Sequence, residues 1–226
     1  MTVKLLVAVA GVTLAAAGAA AAQTPVASWA KTPTAQDVAA AYPAKAKAAG
    51  VGGQVMLSCT LNRALSPRDC VVTREQPSGY GFGNAARRLA EGLVAAPGGA
   101  LLKGVEVEVP VAFPAELASG AAPVVRNPSY AAIPSAADFQ VTFPKTENGV
   151  NSVRVALVCT AAAGGALADC AVDREEPAGM GYGQAALALA PKFRVAAWSN
   201  DGQPTWGAKV RVPIRYELKP VDQAAR

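Results

Sequence analysis

The four cysteines are the residues of this chain whose spacing most clearly indicates chemistry. Cys59 and Cys70 are 11 residues apart, and Cys159 and Cys170 repeat that spacing 100 residues later. Four cysteines can form disulfides in three pairings, or bind zinc as thiolates. A structural zinc site ordinarily contains a Cys-x-x-Cys pair, which this sequence lacks. We therefore predict two local disulfides, Cys59–Cys70 and Cys159–Cys170, with a four-thiolate zinc site as the alternative.

A β-hairpin is the element that would bring each cysteine pair together. Val55, Leu57 and Cys59 alternate with residues of the opposite face, which is typical of a strand with one buried side. Opposed residues of antiparallel strands lie within disulfide reach. With the cysteines opposed, the second hairpin is centred on Gly164-Gly165, which suits a two-residue turn. The first is centred on Ala64-Leu65, for which we predict a wider loop.

The cysteine pairs lie within a longer internal repeat. Positions 54–90 align with 154–190 without a gap, and 17 of the 37 positions are identical. Each copy reads strand, strand, a glycine-rich connection, helix and a late alternating strand. The helix stripes predicted to be buried are Ala85, Ala86, Leu89, Ala90 and Leu93, starting near Asn84, and Ala185, Ala186, Leu189 and Ala190. We predict an α+β fold of two tandem small domains, each an antiparallel hairpin, a helix and a third strand.

The chain divides into six segments by composition. Lys4 precedes an apolar run from Leu5 to Ala17 and an Ala-x-Ala site, which indicates a cleavable secretory signal. An uncleaved inner-membrane anchor is the alternative, and no other stretch is expected to span a membrane. The predicted segments are a signal peptide (1–22), a linker (23–35), domain 1 (36–118), a linker (119–136), domain 2 (137–219) and a tail (220–226). Export supplies the oxidising compartment that disulfides require.

Composition argues against several classes of function. The formal charge of the 226 residues is +5, but it is scattered, and Arg87-Arg88 is the only adjacent basic pair. We therefore expect no nucleic-acid partner. The chain has no histidine, and its thiols are expected to be oxidised, so the usual general base and soft nucleophile are missing. We expect no catalytic residues, no metal site and no cofactor.

The glycine-rich stretch from Gly79 to Gly83 precedes a helix N-terminus, where backbone N–H groups can bind an anion. Arg87 and Arg88 would assist, but the second copy has Leu187 and Ala188 at those positions. The favoured interpretation is a tight strand-to-helix connection that needs positive φ angles.

Further motifs resemble a known family. Tyr42-Pro43, Gly50-Val51-x-Gly53-x-Val55, Asp201-Gly202-Gln203-Pro204 and the closing run from Val212-Pro213-Ile214 to Leu218 are similar to motifs of the TonB C-terminal domain. The resemblance covers about 36–114 and 137–219. It implies a protein that binds the TonB box, an extended segment of outer-membrane transporters, by strand addition near its third strand. Carried over by position, the peptide-binding edge comprises Val107, Val109, Val111, Val210, Val212 and Ile214. The alternative is that these side chains only pack the core, and the edge backbone does the binding.

The chain departs from a working TonB in its cleavable N-terminus, its lack of histidine and its lack of a long spacer rich in Pro, Glu and Lys. We therefore predict a soluble periplasmic protein whose partner is a protein or peptide, with a TonB-dependent transporter as one candidate. That function requires an unpaired third-strand edge. The alternative is a structural or accessory envelope protein in which the two domains use their edges on each other. A third hypothesis, glycan binding, requires Trp198 and Trp206 to be exposed and clustered.

Overall fold

The computed structural model describes residues 27–98, 103–142, 144 and 152–217, and it shows a mixed α+β fold. The predicted signal peptide, the tail and Leu218 lie outside these residues. The first repeat consists of β1 (Trp29–Lys31), α1 (Ala35–Ala41), α2 (Ala44–Ala49), β2 (Gly53–Leu61), β3 (Pro67–Gln76), α3 (Phe82–Ala90), β4 (Val94–Ala95) and β5 (Glu106–Phe113).

The second repeat follows the same order. Two short elements come first, α4 (Ala115–Ala118) and β6 (Val124–Val125). The repeat then consists of β7 (Tyr130–Ala132), α5 (Ala136–Thr142), β8 (Ser152–Ala161), β9 (Leu167–Glu176), α6 (Tyr182–Leu189), β10 (Arg194–Val195) and β11 (Lys209–Glu217). A turn at Ala163–Gly165, with left-handed backbone at Gly164, and a short 3₁₀ helix at Ala190–Lys192 complete it.

Each repeat has an antiparallel sheet in which the first hairpin strand is central. The strand order is β3-β2-β5 in the first repeat and β6-β11-β8-β9 in the second, where β6 runs parallel to β11. A separate two-stranded ribbon joins β1 to β4, and its counterpart joins β7 to β10. The predicted order of hairpin, helix and third strand is therefore present in both copies.

The helix of each repeat covers one face of its sheet. All the residues of the predicted stripes are buried. Large aromatic side chains complete each core: the ring centroids of Phe82 and Phe113 lie 5.2 Å apart, and those of Tyr182 and Tyr216 lie 4.9 Å apart. Edge-to-face and tilted contacts of this kind add to the stabilisation from burial. Small alanines on the helix allow it to approach the sheet closely.

The helix that was predicted to begin near Asn84 begins two residues earlier. Helix α3 begins at Phe82, and Gly81 is its N-cap with a φ of 87°. Asn84 instead accepts a hydrogen bond from the Arg87 side chain. Gly83, in the first turn of α3, packs closely on β3, because a Cβ atom there would lie 2.9 Å from Glu75 Oε2. The glycine run is therefore a tight connection, as the favoured interpretation required.

Both predicted disulfides are present. Cys59 and Cys70 have Cα atoms 4.1 Å apart, and those of Cys159 and Cys170 lie 4.0 Å apart. Because all four sulfur atoms are used, the zinc alternative is excluded. Each disulfide joins the two strands of a hairpin, β2 to β3 or β8 to β9.

The predicted two-residue turn at Gly164-Gly165 is wrong, and so is the predicted difference between the hairpins. Both loops have five residues, 62–66 and 162–166. In the second loop the N–H of Ala162 donates to Ala166, and both glycines have positive φ angles. A bulge at Asp169, with a φ of 49°, shifts the pairing so that the cysteines remain opposed across a longer loop. Leu65, with a φ of 55°, occupies the Gly165 position in the first copy.

The segment 119–136, predicted to be a linker, contains β6, β7 and the start of α5. Val125 is fully buried in the second core, and this burial holds β6 against β11. Strand β7 is the counterpart of β1, and Ser135 and Asp138 cap α5 as Thr34 and Asp37 cap α1. The structural repeat thus begins earlier than the sequence identity indicated.

Candidate peptide-binding edge

The side chains carried over from the TonB resemblance lie in the two cores. Each of these side chains is at most 4% exposed. They are Val107, Val109, Val111, Val210, Val212 and Ile214. They project from β5 and β11 towards the helices α3 and α6. A ligand at the sheet edge would therefore meet the backbone of these strands and the side chains of the intervening residues.

The prolines of the third strands show which backbone groups face outwards. Pro213 is opposite Ala156 on β8, and Pro110 is opposite Met56 on β2. Since proline has no N–H, the two proline pairs are non-hydrogen-bonded pairs. The N–H and C=O groups of every second residue, counted from each proline along its strand, therefore point away from the central strand. On β11 these residues include Arg211 and Arg215. Proline is tolerated here because the central ladder does not use this position.

The outer edge of β5 is covered by the second repeat. The N–H of Ala112 donates to the carbonyl oxygen of Gly202 at 2.9 Å, and the indole N–H of Trp198 donates to the carbonyl oxygen of Pro110 at 3.2 Å. Gly202 approaches so closely that a Cβ atom would lie 2.1 Å from that Pro110 oxygen. The 198–204 loop of the second repeat therefore occupies the edge of the first.

Within the described ranges, the outer edge of β11 is paired at its beginning alone. Strand β6 pairs with Lys209 and Val210, and no strand in the described part of the chain pairs with the remainder of that side, from Arg211 to Glu217. The inner side is regular, with nine consecutive pairs to β8 and no register shift. This stretch of β11 thus presents an even row of backbone groups, which is the requirement for strand addition.

The opposite edges of the sheets, β3 and β9, are less suitable. Each has two register shifts against its central strand, and Asp69 and Asp169 have positive φ angles within these strands. Bulges of this kind twist an edge strand and interrupt its row of backbone groups. The regular part of β11 is consequently the best candidate edge in the described residues.

The helix N-terminus after the glycine run is occupied by the protein itself in the second copy. The N–H of Tyr182, the first residue of α6, donates to Glu175 Oε1 at 2.8 Å. A carboxylate at this position satisfies the helix dipole and an orphan N–H. An external anion would have to displace Glu175, so the geometry argues against an anion site here.

Arginines of the second sheet are residues whose grouping sequence reasoning missed. Arg154, Arg174, Arg211 and Arg215 lie on three adjacent strands, on the face away from α6, around an open groove of about 440 Å³. In the sequence, Arg211 and Arg215 are separated by three residues, and the other arginines lie much further apart. A search for clustered charge in the sequence passes over them, because strand alternation and pairing bring them together only in the folded sheet.

The tryptophans meet only part of the requirement for a glycan site. Trp198 is only 3% exposed, whereas Trp206 is 42% exposed. Both line a cavity of about 390 Å³ at the junction of the repeats, together with Trp29. The glycan hypothesis requires Trp198 at the surface, and this condition is not met, because its indole packs in the first core and donates to the carbonyl oxygen of Pro110.

No group of three or more Cys, Asp or Glu side chains within the described ranges is arranged to bind a metal ion. No helix in those ranges is long and apolar enough to cross a membrane. The pKa of Tyr216 is raised to about 12, first by burial and then by the neighbouring Tyr182 and Glu175. A phenol with so high a pKa stays protonated, which fits its place in the core.

Comparison with known proteins does not assign a family. No protein-family model matches this sequence, and no curated protein matches it either. The case for a function therefore depends on the geometry of the edges and the charges around them.

Proposed function

We propose that this chain is a non-enzymatic periplasmic protein of the TonB C-terminal type, which binds an extended segment of a partner protein by strand addition to β11. The observation that carries the proposal is the regular backbone edge from Arg211 to Glu217, which lacks a partner strand among the described residues. An outer-membrane transporter with a TonB box is the candidate partner that the resemblance implies.

Three further features support the proposal. The order of hairpin, helix and third strand in each repeat is the one expected of the TonB C-terminal domain. The two disulfides fit export to an oxidising compartment, and so favour the periplasm. The third feature is the division of roles between repeats: the first has its edge covered by the 198–204 loop, so the second is assigned the binding function.

The test is a calorimetric titration of the oxidised protein with a TonB-box peptide, using the variant Arg215→Pro. Proline at 215 removes an outward N–H and leaves the β8 ladder intact, as Pro213 does two residues earlier. A proline at Val212 would be unsuitable, because the N–H of that residue points inwards to β8 and belongs to the ladder that holds the sheet together. The matched control is Arg215→Ala, which removes the side chain but keeps the N–H.

The expected result is binding by the wild type, a loss of no more than about fivefold in Arg215→Ala, which lacks one exposed charge, and a larger loss in Arg215→Pro. Loss of one or two backbone hydrogen bonds and a clash at the edge should weaken binding by at least about tenfold. A flat titration with the folded wild type would contradict strand addition. It would favour the alternative, a structural envelope protein, for which the docking of Gly202 on β5 is the supporting observation.

A further inference from the structure

We infer that the segment recognised by β11 is acidic, with carboxylates at alternate positions. This inference depends on the proposed strand addition and specifies the chemistry of the partner. Its basis is the arginine face, which we define as Arg126, Arg154, Arg174, Arg211 and Arg215 around the groove beside β11.

Two arginines of this face are directly opposed. Arg154 on β8 is the cross-strand partner of Arg215 on β11 and, on its other side, of Glu176 on β9, whose carboxylate pairs with Arg174. Like charges at opposed positions of a sheet are destabilising. The fold itself does not require this pair, because the corresponding residues of the first repeat are Gln54 and Ala112, which are also opposed. An unfavourable pair that the architecture can avoid is a feature typical of functional sites.

The carboxylates of the second sheet neutralise the arginine face only partly. Glu176 contacts Arg174, Glu217 contacts Arg215, and Asp173 lies 2.7 Å from Arg211. Five arginines against these three carboxylates leave a charge of +2. No carboxylate of the described residues lies within ion-pair distance of Arg154 or Arg126.

The first repeat lacks this charge where its edge is closed. Counting from the third-strand prolines, Glu106 and Glu108 occupy the positions of Lys209 and Arg211. Among the described residues, the basic face therefore occurs on the repeat whose third-strand edge has no partner strand beyond Val210. Because both features lie on β11, one ligand would contact both.

An extended peptide is the ligand class that fits these two features together. Its backbone pairs with the carbonyl and N–H groups of β11, and every second side chain projects on the arginine face. Carboxylates at those positions would lie beside Arg211 and Arg215. An anionic lipid or polysaccharide would satisfy the guanidinium groups but leave the backbone edge without partners.

The experiment compares two blocked eight-residue peptides, one of alternating Asp and Val and one of alternating Asn and Val, by fluorescence anisotropy. Exposed ion pairs contribute modestly, so the Asp-Val peptide should bind roughly tenfold more tightly over several pairs. Arg154→Gln should weaken Asp-Val binding by about two- to fivefold and leave Asn-Val binding unchanged. The charge-matched control is Arg88→Gln, an exposed arginine on α3, and it should alter neither affinity.

Thermal unfolding separates a binding role from a structural one. Because Arg154 lies opposite Arg215 on one side and opposite Glu176 on the other, the two effects oppose each other, and Arg154→Gln should change the Tm of the free protein by less than about 1 °C while it weakens Asp-Val binding. A purely structural arginine would give a lower Tm. Raising the salt concentration to about 1 M should bring the two peptide affinities together, since exposed charges are then screened.

Each remaining outcome has a distinct meaning. Equal binding of both peptides, abolished by Arg215→Pro, would overturn the acidic preference and leave strand addition intact. Binding of neither peptide would contradict the proposed function itself. Asp-Val binding that Arg215→Pro does not alter would overturn both. Binding of phosphatidylglycerol vesicles in place of the peptides, weakened by Arg154→Gln, would identify a membrane surface as the occupant and overturn the inference.

Discussion

The backbone N–H of Ala112 donates to the carbonyl oxygen of Gly202 at 2.9 Å, and this hydrogen bond joins the two repeats. It lies at the third-strand edge of the first repeat, at the position where Arg215 lies in the second. The two repeats have the same architecture but differ in what covers this edge.

Replacement of Gly202 should separate the repeats. In Gly202→Ala the new Cβ would lie 2.1 Å from the Pro110 oxygen, at a φ of +82° that alanine rarely adopts. Gly207→Ala is the matched control, because its φ is +81° and no atom lies within 4 Å of its Cβ position. We expect Gly202→Ala to lower the free energy of unfolding by about 1–3 kcal/mol more than the control does. Equal losses in urea denaturation would show that the contact carries no stability.

Hydrogen exchange should distinguish the two edges. Ala112 and Arg215 are equivalent residues with outward N–H groups, but only Ala112 has a partner for that group among the described residues. The Ala112 amide should therefore exchange more slowly than the Arg215 amide, and an added peptide ligand should slow exchange at Arg215 alone. Comparable protection of both amides in the free protein would contradict an open β11 edge.

Each disulfide should contribute separately to stability. The double variant Cys159→Ala, Cys170→Ala opens a loop of about a dozen residues and should lose roughly 2–3 kcal/mol of unfolding free energy. The corresponding double variant at Cys59 and Cys70 should lose a similar amount. Denaturant unfolding measures both, and the wild type under reducing conditions should lose about the sum. A loss of unfolding free energy in only one of the two double variants would show that the other hairpin is stable without its disulfide.

The cap of α5 should respond to acid. The pKa of Asp138 is lowered from 3.8 to about 2, first by hydrogen bonds from the Ser135 hydroxyl and backbone N–H, then by Lys192. The folded pKa is below the unfolded one, so the carboxylate stabilises the fold above about pH 4 and loses this contribution as the pH falls to about 2.

Asp138→Asn should therefore be less stable than the wild type at neutral pH and equally stable near pH 2. Lys192→Gln should keep part of the effect, because the Ser135 hydrogen bonds remain. An NMR titration of the Asp138 carboxyl carbon measures the pKa directly. A midpoint near 3.8 in the folded protein would contradict this account.

Local chemistry in the sequence was sufficient to predict the hairpins and their cross-links. Opposed cysteines at a repeated spacing define a hairpin, and the alternating valines of β5 and β11 define a buried face. These features depend on residues that are close in sequence or regular in period. The helix stripe around Leu89 followed for the same reason.

The features that decide the candidate site depend on tertiary contacts. The Gly202 contact with β5 joins residues that are far apart in the sequence. The pairing of Val125 with β11 depends on the burial of the Val125 side chain, which no local sequence pattern indicates. The opposition of Arg154 and Arg215 depends on strand register. The loop at Gly164 was mispredicted because the bulge at Asp169 changes the pairing by one residue.

The position of the disulfides has a mechanical consequence. Both cross-links join the strands of a hairpin, and neither involves β5 or β11, which the ladder to the central strand holds without covalent bonds. If tension on a partner paired to β11 were transmitted to the domain, it would be resisted by the ladder between β11 and β8. The chain between Cys159 and Cys170 would stay closed and could not lengthen. The third strand is therefore the part of the domain that can detach under load, while the oxidised hairpin keeps its length.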